Sequence, residues 1–216
     1  MHILLFGATG ATGRHLVEQA LARGHVVTAF VRDPARLRVQ HASLRHVVGD
    51  VMSPANVDAA LPGHDAVLCA LGTFPDAKGD AGRRQPKVPV CEVGTANIVA
   101  SMRKAGVRRI VVESVACIGE SRHTGRFGAG AIVHLAMPEV MQDHERQEAI
   151  LKGSALDWTI VRPTKLKEGP AKGSLQSGED LPWSLLSSVR RADVAAFMLD
   201  ALTAGATVSR AFTVRN

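Results

Sequence analysis

The apolar and polar positions of this chain follow two patterns that alternate along its length. Short runs of consecutive apolar residues, typical of buried strands, precede segments in which apolar residues recur every three or four positions, as on one face of a helix. The first pair is the run at 2–6, followed by helical spacing at Leu16, Val17, Ala20 and Leu21. The same pattern predicts further strands at 26–31, 44–48, 66–71, 109–113, 157–161 and 211–214.

Helices are predicted between most of these strands. The first of these helices has Val57, Ala60 and Leu61 on its inner face, and the second ends near Ala105. The third covers most of 135–152, and the fourth follows Asp193. Strands separated by helices of this length form a parallel sheet with helices on both faces. We therefore predict an α/β fold in a single domain over residues 1–216, with small C-terminal elements that contribute to the substrate pocket.

A glycine-rich turn, Gly7-Ala-Thr-Gly-Ala-Thr-Gly13, connects the first strand to the first helix. In this position it presents backbone N–H groups and the positive end of a helix to a diphosphate. Gly7 permits the tight turn, Gly10 lets the backbone approach the phosphates, and Gly13 lets the helix pack close to the strand; the alternative is a glycine-rich turn without a ligand. The motif predicts a Rossmann-like, doubly wound sheet. The predicted cofactor-binding residues of this turn are Gly7, Thr9, Gly10, Ala11, Thr12 and Gly13.

The end of the second strand indicates which dinucleotide is bound. An acidic residue near this point suits the ribose 2′-hydroxyl of NAD, whereas an arginine suits the 2′-phosphate of NADP. The chain has Arg32, whose guanidinium can pair with a phosphate, followed by Asp33 and Pro34. We expect Asp33 to cap the short turn that Pro34 begins, so Arg32 predicts NADP(H) as the cofactor. Arg36 is either a second phosphate contact or a solvated charge.

Composition narrows the class of protein. Of the 216 residues 46% are hydrophobic, yet no apolar run has the length of a membrane span. Cys69, Cys91 and Cys117 show no CxxC spacing, so we expect reduced thiols in a cytoplasmic protein. The nine histidines form no HxH or HExxH pair, and we expect no metal site.

The net charge of +6 is spread along the chain. Arg83-Arg84, Arg108-Arg109 and Arg190-Arg191 are isolated pairs separated by apolar stretches. Such a distribution favours anionic small molecules, including NADP itself, over nucleic acid.

Several motifs together resemble the atypical short-chain dehydrogenase/reductase family, and within it the NAD(P)H-binding, NmrA-like branch that includes flavin reductases of the biliverdin-IXβ reductase type. They are Phe6-Gly-Ala-Thr-Gly-Ala-Thr-Gly13, Val31-Arg-Asp33, Val48-Gly-Asp-Val51, Leu71-Gly-Thr73, Asn97-Ile-Val-Ala100 and Phe197-Met-Leu199. The resemblance covers nearly the whole chain, but the segments 74–90 and 117–142 match poorly. It implies that the protein can act as a monomer.

The resemblance assigns residues to the adenosine end of a dinucleotide. It implies that Asp50 and Val51 contact the adenine, Asp50 through its side chain. Leu71, Gly72 and Thr73 resemble the loop over the two riboses. The alternative for Asp50 is a helix cap.

The resemblance also places residues at the reacting end, where the chain departs from the family pattern. Ser114 resembles the active-site serine, and Pro163-Thr164 resembles the segment beside the nicotinamide; the alternative for Ser114 is a strand-end hydroxyl. Ordinary members use a Tyr-x-x-x-Lys pair as proton donor, but this chain contains no tyrosine. By spacing, Val140 falls near the tyrosine position and His144 near the lysine.

Simple alcohol or ketone chemistry through that pair is therefore excluded, and conjugated acceptors are favoured over carbonyls. A flavin, a quinone or a tetrapyrrole spreads the charge of an incoming hydride and can take its proton from solvent or a loosely held acid. The candidate catalytic residues are Ser114 and His144, with Lys165 as a further proton donor. A lone histidine on a helix is more often a core or surface residue.

Two poorly matched loops are expected to form the pocket walls. The first loop contains Phe74, Arg83 and Arg84, and the second contains Arg122, His123, Arg126 and Phe127. Trp183 is expected to be an apolar lid over a planar substrate.

The predicted function is an NADPH-dependent reductase that transfers hydride to a free conjugated acceptor: FMN or another flavin, a quinone or a biliverdin-like compound. The alternative is an NmrA-like sensor that binds NADP without catalysis, which a large exposed apolar patch would support. A third possibility is a reductase acting on a specialised metabolite. The loops, rather than the scaffold, decide among them.

Overall fold

The computed structural model of the protein describes residues 1–72 and 88–216. The strands are β1 His2–Phe6, β2 Val26–Val31, β3 Leu44–Val48, β4 Ala66–Cys69, β5 Arg109–Glu113, β6 Asp157–Pro163, β7 Lys165–Lys167, β8 Gln176–Gly178, β9 Ser188–Arg190 and β10 Arg210–Arg215. The helices are α1 Ala11–Ala22, α2 Pro54–Ala60, α3 Val90–Ala105, α4 Ala129–Ala136, α5 Pro138–Lys152 and α6 Arg191–Thr203.

The main sheet has the strand order β3-β2-β1-β4-β5-β6-β10-β8. Its strands run parallel, except that β8 pairs with β10 in the antiparallel direction. The order reverses at β1, because the chain first adds β2 and β3 on one side and then returns to place β4 on the other. This switch point opens a crevice at the carboxyl ends of the strands, where ligands of such sheets bind. The predicted Rossmann-like α/β class is confirmed.

Two apolar layers hold the sheet between its helices. On one face α1 and α6 pack together over Ile3, Leu5 and Val111. On the other face α2, α3 and α5 cover Leu4, Phe6 and other strand residues. Alternate residues of β1 therefore belong to opposite layers, as a strand buried on both sides requires.

A third apolar cluster lies beyond the carboxyl ends of the strands. Its buried residues are Ala116, Cys117, Ile118, Ala129, Val140, Met141 and Trp183. The predicted helix covering most of 135–152 is confirmed as α5, and a separate helix that was not predicted, α4, precedes it. The two helices separate at Met137, which has φ −139° and ψ 56° because the following Pro138 disfavours helical geometry at the preceding residue.

Other differences from the predicted elements are small. β4 ends at Cys69 rather than at residue 71, and β6 continues to Pro163. The short strands β7, β8 and β9 escaped prediction because three residues are too few to establish a period. β7 and β9 form a separate parallel pair near the C-terminal part of the crevice.

One of the basic pairs is structural. Arg108 forms an ion pair with Asp157 at 3.1 Å, and Arg109 donates hydrogen bonds to the Leu202 carbonyl at 3.1 Å and to the Thr159 hydroxyl at 2.7 Å. These contacts join β5, β6 and α6 at the end of the sheet opposite the crevice. Part of the positive charge therefore stabilises the fold.

In the described ranges no helix combines the length and apolar character needed to cross a bilayer.

Candidate active site

A cleft of about 510 Å³ opens at the carboxyl ends of β1, β4, β5 and β6. Its floor is formed by the glycine-rich turn and by the first residues after each strand. One wall is apolar and comes from the third cluster and from the segment before β9. The cleft is lined by Gly10, Ala11, Thr12, Ala70, Leu71, Gly72, Glu113, Ser114, Val115, Ala116, Cys117, Val133, Met137, His144, Pro163, Thr164, Lys165, Leu166, Trp183, Ser184, Leu185, Ser187 and Arg191.

The glycines of the turn are required by close backbone packing. Gly7 has φ +81°, and a Cβ on it would overlap the carbonyl oxygen of Ala70. A Cβ on Gly13 would overlap the carbonyl group of Gly7. Gly10 differs, because its nearest neighbour would be the Gly7 oxygen at 3.1 Å and the rest of the space is open. Gly7 and Gly13 therefore shape the turn, and Gly10 leaves room above it.

The N-terminus of α1 fits a bound diphosphate. The first helical hydrogen bond runs from the Arg14 N–H to the Gly10 carbonyl at 3.0 Å, so the N–H groups of Ala11, Thr12 and Gly13 have no partner within the helix. Gly10 provides no side-chain cap, and the first turn contains no acidic residue. Thr9 lies half-buried in the turn. An anion at this helix end is stabilised by the backbone donors and by the helix dipole.

Arg32, Asp50 and Val51 lie beside the turn at the ends of β2 and β3, outside the residues that line the cleft. Arg32 is exposed, and the Asp33 side chain accepts a hydrogen bond from the Ala35 N–H at 3.0 Å. The prediction that Asp33 caps the turn is confirmed, and the role of Arg32 at a 2′-phosphate stays a prediction.

Asp50 has a local structural role. Its Oδ1 accepts a hydrogen bond from the Met52 N–H at 3.0 Å, and its own N–H donates to Asn56 at 3.1 Å. Val51 is buried and its carbonyl accepts from the Asn97 amide at 2.9 Å. Asp50 thus closes a turn before α2 rather than capping that helix, whose N-cap is Ser53, and its contact with adenine stays a prediction.

The loop after β4 is described only in part. Leu71 and Gly72 line the cleft, and the Leu71 side chain packs near Gly94 of α3. Thr73 lies outside the described residues, as do Phe74, Arg83 and Arg84.

Ser114 is held by a buried charge network. Its hydroxyl donates to Glu148 Oε1 at 2.8 Å. Glu148 in turn accepts from Arg162 Nε at 2.8 Å, and Arg162 also donates to Glu120 at 2.7 Å. Because its proton points to Glu148, the Ser114 oxygen presents lone pairs, rather than a hydrogen, to the cleft.

His144 lines the cleft but is a neutral side chain. Its Nδ1 lies 2.9 Å from Gln147 Oε1, and the Gln147 amide donates to Thr95 at 3.1 Å. This orientation of the amide places the proton of His144 on Nδ1. Nε2 faces Cys91 Sγ at 3.9 Å. Burial lowers the pKa of His144, so the ring has no proton to give on the Nε2 side.

Pro163 and Thr164 complete the floor of the cleft beyond β6. The Pro163 carbonyl accepts from the Ala116 N–H at 2.9 Å, while the Thr164 N–H donates to Val214 at 3.1 Å. The Thr164 hydroxyl points the same way, to the Val214 carbonyl at 3.3 Å. Lys165 follows at the exposed rim.

Trp183 is a wall rather than a lid, so the lid expectation is wrong. It is 4% exposed, its indole N–H donates to the Ser121 carbonyl at 2.7 Å, and it packs in the third apolar cluster. A buried hydrogen bond and a close-packed neighbourhood fix the ring in place. Arg122, His123, Arg126 and Phe127 are exposed, and none of them is among the described lining residues.

Two charged lining residues, Glu113 and Arg191, were missed by sequence reasoning. Glu113 is the last residue of β5, and burial raises its pKa to about 7 against the opposing effects of the Thr12 hydrogen bond and the Arg191 charge. Arg191 begins α6 on the same side of the cleft. The available indication for Glu113 was an ionisable residue that follows the apolar run 110–112 at the carboxyl end of β5.

Comparison with known proteins places the chain in a family. Residues 7–204 match the model of a family described as NAD(P)H-binding, so the chain belongs to that family. It is 32% identical over 179 residues to an uncharacterised chloroplastic protein of Arabidopsis thaliana, covering 80% of this chain and 62% of that protein. It is 30% identical to sterol demethylase protein B of Methylococcus capsulatus, covering 77% and 52%. The chain thus spans less than two thirds of the length of these relatives.

Solved structures share the fold over the whole chain. ChuY, an anaerobilin reductase of Escherichia coli O157:H7, superposes with a TM-score of 0.80 at 23% identity, covering 99% of this chain and 96% of that one. A short-chain dehydrogenase/reductase of Veillonella parvula in complex with NADP gives 0.82 at 19% identity, covering 100% and 94%.

Fold, glycine turn and family together define an NAD(P)H-binding protein with a Rossmann-like sheet. The predicted family resemblance and the NAD(P)H cofactor are confirmed at that level.

Proposed function

We propose that the protein is an NADPH-dependent reductase that transfers hydride to a free, planar, conjugated acceptor. The observation that carries the proposal is the position of an apolar wall directly beside the diphosphate-binding turn. Val133, Met137, Trp183 and Leu185 line the same cleft as Gly10. An apolar slot next to a dinucleotide site suits a flavin, a quinone or a biliverdin-like tetrapyrrole. The reductase activity named for the ChuY structure supports the tetrapyrrole class as one of the acceptors to test.

The chain's residues contribute binding and orientation. The bound cofactor supplies the hydride. The N–H groups at the start of α1 hold its diphosphate, Arg32 pairs with the 2′-phosphate, and the apolar wall orients the acceptor ring and excludes water. The Ser114 oxygen, fixed by Glu148, accepts a hydrogen bond from the cofactor amide or from an acceptor N–H. No Tyr-x-x-x-Lys donor is needed for such acceptors, because the conjugated system delocalises the added charge.

The reductase proposal is tested by following absorbance at 340 nm when NADPH is mixed with FMN, a small quinone or biliverdin. We expect oxidation of NADPH with at least one of them, and slow or no reaction with simple ketones. Loss of the reaction on Ser114→Ala with unchanged NADPH affinity would place Ser114 at the reacting end. Tight NADPH binding without turnover on any conjugated acceptor would refute the reductase.

Cofactor preference provides a separate prediction. Replacing Arg32 with alanine should weaken NADPH binding about 10- to 100-fold, the range expected for a lost charge-assisted hydrogen bond, and should leave NADH binding nearly unchanged. Arg36→Ala is the matched control, since Arg36 is an exposed arginine in the adjacent turn, and it should change neither affinity by more than about twofold. Equal losses for NADPH and NADH in Arg32→Ala would contradict the assignment.

One feature favours the alternative function of an NADP-binding sensor. Large apolar side chains are exposed around the segments that form the apolar wall, with Phe127 94%, Leu135 87% and Leu186 92% exposed. A protein partner could cover them. A sensor would bind NADP and NADPH with different affinities, without turnover, and would lose partner binding on Phe127→Ser together with Leu135→Ser.

The compartment and the assembly state belong to the same proposal. Cys69, Cys91 and Cys117 are buried thiols, which suits the reducing cytoplasm. We propose that the protein works there as a monomer. Light scattering at micromolar concentration tests the assembly state, and a dimer mass would contradict it.

A further inference from the structure

A carboxyl group without a role in the proposed function lies inside the cleft. Glu113 is 8% exposed and lines the cleft together with Gly10 and Thr12. Its Oε1 accepts the Thr12 hydroxyl at 2.9 Å. Because Thr12 lies in the first turn of α1, this hydrogen bond joins Glu113 directly to the segment whose backbone binds the cofactor diphosphate.

The protons of three other lining side chains, Ser114, His144 and Cys117, are unsuited to transfer into the cleft. The Ser114 proton is donated to Glu148, and His144 is neutral because burial lowers its pKa. Burial raises the pKa of the Cys117 thiol to about 12. Lys165 stands at the exposed rim. Glu113 is the lining carboxyl whose proton is exchangeable near neutral pH.

The groups that face Glu113 come from every element packed against it. Arg191 of α6 carries a positive charge that lowers the pKa of Glu113, and the Thr12 hydroxyl of α1 lowers it too, but burial outweighs both and raises it to about 7. Cys69 of β4 is neutral, since burial raises its thiol pKa to about 12. On β6 the register partner is the apolar Val161.

We propose that Glu113 is a proton-binding residue of the cofactor site, which takes up a proton when the dinucleotide binds. A diphosphate at the N-terminus of α1 and an ionised carboxyl would repel each other in a cleft of low polarity, so binding favours the neutral carboxyl. The consequence for chemistry rests on the proposed reductase function. The acceptor receives a hydride from the cofactor and the proton from Glu113, and the carboxylate regains a proton from solvent.

Because binding raises the pKa of Glu113, dinucleotide affinity must depend on pH. Ionised Glu113 predominates above pH 7 in the free protein, so dinucleotide affinity is greatest at low pH and falls as the pH rises through 7. The fall is at most about tenfold per pH unit, the limit for one coupled proton. The fall in affinity ends where the pH exceeds the higher pKa that Glu113 has in the complex.

Calorimetry without any acceptor measures the proton directly. NADPH and NADH are titrated into the protein between pH 6 and 8.5, in buffers with different heats of ionisation. NADH is included because it lacks the titrating 2′-phosphate. For the wild-type protein we expect uptake approaching one proton per dinucleotide near pH 8. In Glu113→Gln, whose amide oxygen can still accept from Thr12, the proton uptake on NADH binding should vanish and the NADH affinity should become independent of pH. Undiminished uptake in that variant would overturn the proposal.

Two further variants separate this role from a structural one. Thr12→Val removes a hydrogen bond that lowers the pKa of Glu113, so the pH at which affinity falls should move upward. Glu168→Gln removes the exposed carboxylate that pairs with Arg191 at 2.8 Å and should leave proton uptake unchanged.

Carbon-13 NMR of labelled carboxyl groups tests the titration of Glu113 directly. It must show one signal that titrates near pH 7, whose midpoint rises when NADPH binds and which is missing in Glu113→Gln. Titration of that signal near 4.5 would overturn the proposal. Because none of these measurements needs turnover, they are independent of whether the reductase assignment holds.

Discussion

Replacing Arg162 with methionine is expected to lower the free energy of unfolding by about 3–5 kcal/mol, the cost of leaving one member of a buried ion pair without its partner. Arg162 is fully buried in the sheet and donates to both oxygens of Glu148, at 2.8 and 2.5 Å. Methionine fills similar volume but leaves the buried Glu148 carboxylate without its two arginine hydrogen bonds, with the more distant Lys152 at 3.7 Å as a remaining charged partner. Urea denaturation measures the lost free energy of unfolding. The Ser114 side chain should also become mobile in this variant, because Arg162 no longer fixes Glu148.

A double variant distinguishes lost pairing from lost packing. Arg162→Met with Glu148→Leu removes both charges, so it should recover much of the stability that the single change loses. The control Lys104→Met removes an exposed lysine that pairs with Asp58 at 2.7 Å, and it should cost less than about 1 kcal/mol. If the double variant is no more stable than Arg162→Met alone, the buried charge is not the cause.

Replacing Gly13 with alanine should weaken NADPH binding at least about 100-fold, or nearly 3 kcal/mol. The added methyl group would overlap the backbone carbonyl of Gly7, and a backbone atom cannot move aside as a flexible side chain can. The start of α1 must shift, which displaces the N–H groups that hold the diphosphate. We also expect a stability loss of about 1–3 kcal/mol from overpacking. Fluorescence titration with NADPH and thermal unfolding measure the two effects.

Gly10→Ala is the matched comparison within the same turn. Gly10 has φ −72° and ψ 169°, which alanine adopts without strain, and its closest neighbour would be the Gly7 oxygen at 3.1 Å. The methyl group enters space open to the cleft, so binding should weaken while the unfolding temperature stays nearly unchanged. A Gly13→Ala protein that binds NADPH like the wild type would show that the close approach of α1 is unimportant.

The two sides of the cleft have different structural supports. Ser114 points to the α5 side, where Glu148 and Arg162 hold it, whereas Glu113 points to the α1 and α6 side, beside Thr12 and Arg191. Neighbouring residues of one strand end face opposite layers, because side chains alternate along a strand. The cleft therefore has a fixed hydrogen-bond acceptor on one side and a titratable carboxyl on the other.

The sequence by itself determined the layered α/β fold and the glycine turn at which we propose that the cofactor binds. Strands at 2–6, 26–31 and 44–48 and the glycine turn at 7–13 were readable because their patterns are local: strand runs, helical spacing and glycines extend over a few neighbouring residues. The same holds for Asp33, whose cap bond reaches only two residues along the chain.

The tertiary structure alone decided the hydrogen bonds, burial and protonation states of the side chains in the site. The Thr12–Glu113 hydrogen bond joins residues 101 positions apart, and the Ser114–Glu148 bond joins residues 34 apart. Burial of Glu113, the neutral state of His144 and the wall position of Trp183 depend on which distant elements pack around them. A pKa or a proton position follows from those surroundings in space, and neighbours along the chain do not specify them.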